Sequence, residues 1–191
     1  MESCSIFKPD GRGSLPLLPL LSSALEKIIH KNEYMFQAGK VRDVVTIFHS
    51  SKVPPLGIRQ YLVRIFKYSR CSPSCLVLAF IYMNWFCQRT KICLSSLNVH
   101  RLLITSILVA AKFFDNWCLN NAYYAKVGGV GTQELNKMEM KLLFDLDFRL
   151  YVSPQVFNRY CLLLEKEDGA KAYSIEQSIH IHRSRSFQIQ E

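Results

Sequence analysis

No stretch of the 191 residues is long and apolar enough to span a membrane, and the opening "MESCSIFKPDGRG" lacks the charged-then-apolar order of a secretory leader. These absences predict a nuclear or cytoplasmic chain with no membrane partner. Strict alternation of polar and apolar residues is missing too, which argues against a half-buried sheet. Cysteine is odd in number, at 4, 71, 75, 87, 93, 118 and 161, and mostly embedded in apolar runs, so reduced thiols are expected in place of a disulfide framework. Catalytic signatures are also wanting. The histidines at 30, 49, 100, 180 and 182 are scattered without a carboxylate motif, and no Gly-x-Ser-x-Gly elbow occurs. "CSPSC", taken with Cys87 and Cys93, lacks the close pair of a zinc site, and "VGGVGT", 127–132, has neither the preceding strand nor the Gly-Lys-Ser/Thr of a phosphate loop. The expectation is a chain that is not an enzyme and takes no cofactor or metal.

What remains is helix, with 49% hydrophobic residues able to bury one core. Residues 1–19, rich in Gly and Pro, read as a flexible leader, and 168–191 as a flexible tail. Over 20–55, "SSALEKIIHKN" offers a serine-capped helix, "VRDVVTIFHS" a second short one, and "SKVPPLG", 51–57, a linker that no helix can cross. Beyond it, helical periodicity predicts segments at 58–70, 73–88, 97–115, 120–126, 132–147 and 154–166. Ser72-Pro73 and Ser153-Pro154 read as a capping serine followed by proline at the first helical position, and Thr132 as the cap of its helix. The pattern is all-α.

Segments 73–88 and 97–115 are apolar around nearly the whole circumference, so each should lie enclosed by others. The polar residues of the second, Asn98, Arg101, Thr105 and Lys112, fall in a seam about 60° wide. In 132–147, Leu135, Met138, Leu142 and Leu146 form a core stripe, and Glu139 projects into it. Burying that carboxylate alone would cost several kcal/mol, so it needs a cation such as Lys112 or a rim where a partner completes it. Arg59 sits beside Ile58, Leu62 and Phe66 on the apolar side of 58–70, a third charge of the same kind. The net charge of +9 is spread along the chain without a dense basic run.

"IRQYLVRIFKYSRCSPSCLVLAFIYMNWF", "NVHRLLITSILVAAKF" and "NNAYYAKVGGVGTQELNKME" resemble the cyclin box of plant P-type (U-type) cyclins, relatives of the yeast phosphate-regulatory cyclins. The resemblance implies a single five-helix cyclin box at 56–150, an N-terminal helical segment and linker at 20–55 and an additional helix at 151–167. No second cyclin-like repeat is expected after Glu167. It also implies a non-catalytic subunit, otherwise monomeric, that binds and activates a cyclin-dependent protein kinase in cell-cycle or phosphate signalling. Lys112 and Glu139 match the family residues that hydrogen-bond the kinase. Where cyclins carry an acidic-basic pair this chain has Asn84-Trp85, so Arg59 is expected to support the interface through a hydrogen bond to Asn84. The alternative, a nucleic-acid-binding or scaffold protein on the same fold, rests on the net charge.

Overall fold

The computed structural model describes residues 6, 16–41 and 44–166, and among them there are seven helices and no strand. They are α1 (Leu17–Gln37), α2 (Ile58–Ser69), α3 (Pro73–Thr90), α4 (Val99–Phe114), α5 (Asn121–Gly128), α6 (Thr132–Asp145) and α7 (Pro154–Glu165). The all-α expectation holds.

The two helices read as enclosed form the centre. Every residue from Cys75 to Asn84 and from Leu102 to Ala111 is buried, and the α3–α4 pairing is the most extensive in the molecule. Around it, α5 and α6 pack on α4, α2 on α1 and α5, and α7 on α1 and α3. A helix covered on all sides has no room for a polar stripe, which is why α3 shows so little amphipathic contrast, whereas α4 keeps its narrow polar seam. By contrast α2 buries only Ile58, Tyr61, Leu62, Ile65 and Ser69, the arc its neighbours cover.

Close approach of α5 to α4 depends on Gly128, where a β-carbon would lie 2.6 Å from Cγ1 of Ile104. The Tyr61 hydroxyl donates to the Gly128 carbonyl at 3.0 Å, and Gly129 ends α5 at φ 70°, a backbone glycine adopts without penalty. The cysteines at 71, 75, 87, 93, 118 and 161 form no disulfide. Burial pushes Cys71 up to about 11, so it stays protonated.

Several boundaries correct the sequence reading. α1 begins at Leu17, five residues before Ser22, because Pro19 falls in its first turn, where proline is tolerated. Residues 17–19 of the expected leader are therefore helical, and Ile6 is buried, its N–H donating to Glu165 Oε1 at 3.3 Å. The remainder of the leader and the tail lie outside the described residues. The short helix expected in "VRDVVTIFHS" does not form; residues 44–50 make a turn. Its β-branched run Val44-Val45-Thr46-Ile47 disfavours helix, and only Phe48 is buried there, edge-to-face with Phe86 at 5.0 Å. Gly131 occupies the N-cap of α6, and Thr132 is already helical. Ser153 caps α7 by accepting from the Val156 N–H at 3.4 Å, whereas Ser72 makes no such bond and turns its hydroxyl to Cys75 Sγ.

Candidate functional site

α4 and α6 meet through two ion pairs. Near the start of both helices, Arg101 Nη2 lies 2.6 Å from Glu134 Oε1. The same nitrogen donates to the Ile47 carbonyl at 2.8 Å, tying the 44–50 turn to α4. Glu134 Oε2 accepts from the Gly131 N–H at 3.3 Å. Burial opposes ionisation of Glu134, but the Arg101 hydrogen bond, the Gly131 N–H and the Arg101 charge outweigh it and hold its carboxyl below the ordinary glutamate value. In the polar seam of α4 at this end, Asn98 accepts from the Ser95 N–H and donates to the Cys93 carbonyl, each at 2.9 Å, and Thr105 donates to the Arg101 carbonyl at 2.7 Å, while Arg101 Nε is buried without a partner among the described residues.

At the far end, Lys112 in the last turn of α4 donates through Nζ to Glu139 Oε1 at 2.6 Å. Glu139 Oε2 accepts from Asn121 Nδ2 at 2.7 Å, and Asn121, the first residue of α5, also donates to Asn136 Oδ1 at 2.7 Å. The preceding Asn120 caps α5, accepting from the Tyr123 N–H at 2.9 Å, so its helix start fixes where the Asn121 amide points. The carboxylate expected to need a cation has one, together with an amide that the sequence reading missed. The missed signal lay in "NN" itself: one asparagine caps, which leaves the other to bond elsewhere. Glu139 is sequestered, its side chain 11% exposed, while Lys112 is 40% exposed. A lysine donates three hydrogens, so the ammonium retains donors toward solvent.

Exposed apolar side chains follow each member of this pair. Phe113, Phe114 and Trp117 come after Lys112; Met140, Phe144 and Phe148 come after Glu139. The rings of Phe144 and Phe148 stand edge-to-face at 5.3 Å. Asp147 and Phe148 both hold left-handed backbone, φ 55° and 54°, a conformation that costs a non-glycine residue about 1–3 kcal/mol. Large apolar side chains left in water contribute little to folding, and contiguous patches of them are common at protein–protein contacts.

The expected Arg59–Asn84 hydrogen bond is absent. The Asn84 amide donates to the Tyr160 hydroxyl on α7, and its Oδ1 accepts from Gln88 Nε2 at 3.2 Å. Arg59 is exposed, because the arc of α2 covered by its neighbours centres on Ile65 and Ser69 and leaves residue 59 outside. Asn84 therefore ties α3 to α7.

Comparison with known proteins gives a consistent answer. A family described as Cyclin matches residues 21–150. Cyclin-P3-1 of Oryza sativa subsp. japonica is 53% identical over 151 residues, covering 79% of this chain and 64% of that protein. Cyclin-U3-1 of Arabidopsis thaliana is 50% identical over 155 residues, covering 80% and 69% respectively, and Cyclin-U4-1 of the same plant is 47% identical over 152, covering 79% and 75%. The chain thus spans under two thirds of the rice relative's length.

Proposed function

Because this chain belongs to the cyclin family, we propose that it is a non-catalytic subunit that binds a cyclin-dependent protein kinase and activates it, in cell division or in phosphate signalling. The observation that carries the reading is the end of the α4–α6 contact. There a sequestered carboxylate is held by Lys112 and Asn121, the ammonium faces outward, and exposed aromatics flank both helices.

A subunit without catalytic groups raises a rate only by shifting its partner between conformations. Active kinases need the ion pair between a strand lysine and a glutamate on the regulatory helix, and a surface that holds this helix inward favours that state. Moving the balance from 1:99 to 99:1 takes about 5.5 kcal/mol of differential binding, more than two polar contacts supply. Full burial of one exposed phenylalanine contributes about 1.5–3 kcal/mol. Phe113, Phe144 and Phe148 are suited to make up the difference, with Lys112 and Glu139 setting orientation.

The test is capture of kinases from plant extract on the immobilised chain, identification of the captured kinase by mass spectrometry, and phosphotransfer by that kinase to a generic peptide with and without the chain. The expected result is one predominant cyclin-dependent kinase whose activity rises on addition. Tight capture without stimulation would replace activation with inhibition or scaffolding.

A further inference from the structure

Acidic residues are distributed unevenly along this chain. Residues 44–114 hold nine of the 24 Lys and Arg and none of the 15 Asp and Glu, so this stretch carries the whole net charge of +9. Two of the nine, Arg101 and Lys112, are neutralised across the α4–α6 contact. Four others, Arg59, Arg64, Lys67 and Arg70, are exposed on α2 or at its end and meet no carboxylate among the described residues. Arg59 is the most informative. It is the second residue of α2, where the positive end of the helix dipole opposes a cation, and the first turn holds no acid to offset it. A cation that opposes its own helix dipole and meets no carboxylate among the described residues contributes little to folding.

At 100° per residue, Arg59, Val63 and Lys67 fall within about 80° of the circumference, one stripe along α2. Val63 is exposed between the first two cations. Arg64 lies beside the stripe and is turned aside, its Nη2 donating to the Lys126 carbonyl at 3.3 Å. Along the axis, Arg59 to Val63 and Val63 to Lys67 each advance about 6 Å. In an extended peptide, side chains on one face recur about every 6.7 Å. The two repeats match over this span.

We propose that the outer stripe of α2 docks an extended acidic segment of a partner protein. Acidic side chains at positions i and i+4 of that segment face Arg59 and Lys67, and an apolar side chain at i+2 rests on Val63. Charge complementarity selects the acids. The apolar residue between the cations selects a peptide over a nucleic acid, since a phosphate backbone presents charge at each step with nothing apolar at this spacing.

The test uses the full chain, isotopically labelled, and nuclear magnetic resonance, which detects weak binding. The probe is a glycine-flanked Glu-Ser-Leu-Ser-Glu peptide. Saturable amide shifts confined to residues 58–70 are expected. Moving the leucine by one position, or replacing both glutamates by lysine, should weaken binding by about tenfold or more. Lys67→Glu should weaken it comparably and favour a peptide whose facing glutamate is lysine, a gain that loss of folding cannot mimic. Equal binding by the displaced-leucine peptide or by a short oligothymidylate overturns the proposal, as does unchanged binding by Lys67→Glu.

Discussion

The two ion pairs between α4 and α6 have the same length, 2.6 Å, and opposite exposures. At the Arg101–Glu134 end the cation is sheltered, 17% exposed, and the carboxylate is wet at 44%. At the Lys112–Glu139 end the carboxylate is sheltered and the cation is wet. The difference lies in what else each cation holds. Arg101 is engaged by the Ile47 carbonyl as well, so that end is closed and serves the fold. Lys112 has no second partner among the described residues, so the other end is open and can be completed from outside. One helix pair thus carries a closed bridge and an open one, told apart by which member faces water; on the proposed function the open one meets the kinase.

Removing each pair in turn should separate their roles. Lys112→Ala with Glu139→Ala should abolish kinase capture while circular dichroism still reports a helical chain, since each truncation costs about 2–5 kcal/mol when its partner stays desolvated. Arg101→Ala with Glu134→Ala should leave capture within about threefold and lower the melting temperature. If both doubles affect capture equally, the distinction fails.

Next comes a charge placed where a neutral amide stands. Asn84 is buried on α3, where its amide donates to the Tyr160 hydroxyl and accepts from Gln88 Nε2. Asn84→Asp should destabilise by about 1–3 kcal/mol, read from urea unfolding, because burial penalises the charged carboxylate and the donor to Tyr160 is lost. A gain in stability would mean that a cation reaches this site.

A milder change isolates charge from shape. Glu139→Gln keeps an acceptor for Lys112 or Asn121, so folding should shift by no more than about 1 kcal/mol while kinase affinity, measured by calorimetry, falls about tenfold. The smallest effect concerns pH at the closed end. Burial lowers the pKa of His100, partly offset by its hydrogen bond to the Leu56 carbonyl at 2.7 Å. A depressed histidine leaves the folded chain binding fewer protons than the unfolded one, so stability is full above about pH 6.5 and declines as pH falls below it. Melting temperatures from pH 7.5 to 5.5 should show this slope, and His100→Gln should flatten it.

Much of this was legible in the sequence, for identifiable reasons. Lys112 and Glu139 could be paired before any coordinates because a carboxylate inside an apolar stripe must find a donor, and few are within reach. The central helices were legible because burial on nearly all sides leaves α3 with no polar stripe and α4 with only a narrow one. Arg59 was misread because a helical wheel gives angles without saying which arc its neighbours cover; α1 and α5 decide that, and both are remote in sequence from the α2 edge. Asn121 was hidden behind Asn120, whose capping role accounted for the pair. The short helix at 41–50 failed because Phe48 alone anchors the turn, which apolar content by itself does not reveal.

The contact at Gly128 makes α5 a lever. The helix is eight residues, about 12 Å, with Ile104 pressed against one end and the Asn121 amide at the other. Tyr61 pins it near the pressed end, so it can pivot there but hardly slide. Bulk added at that end tilts the rod and carries Asn121 away from Glu139, slackening the grip on a carboxylate that no part of the wedge touches. The alignment of the open end is thus set from the interior of the protein, by the space one missing methyl group leaves.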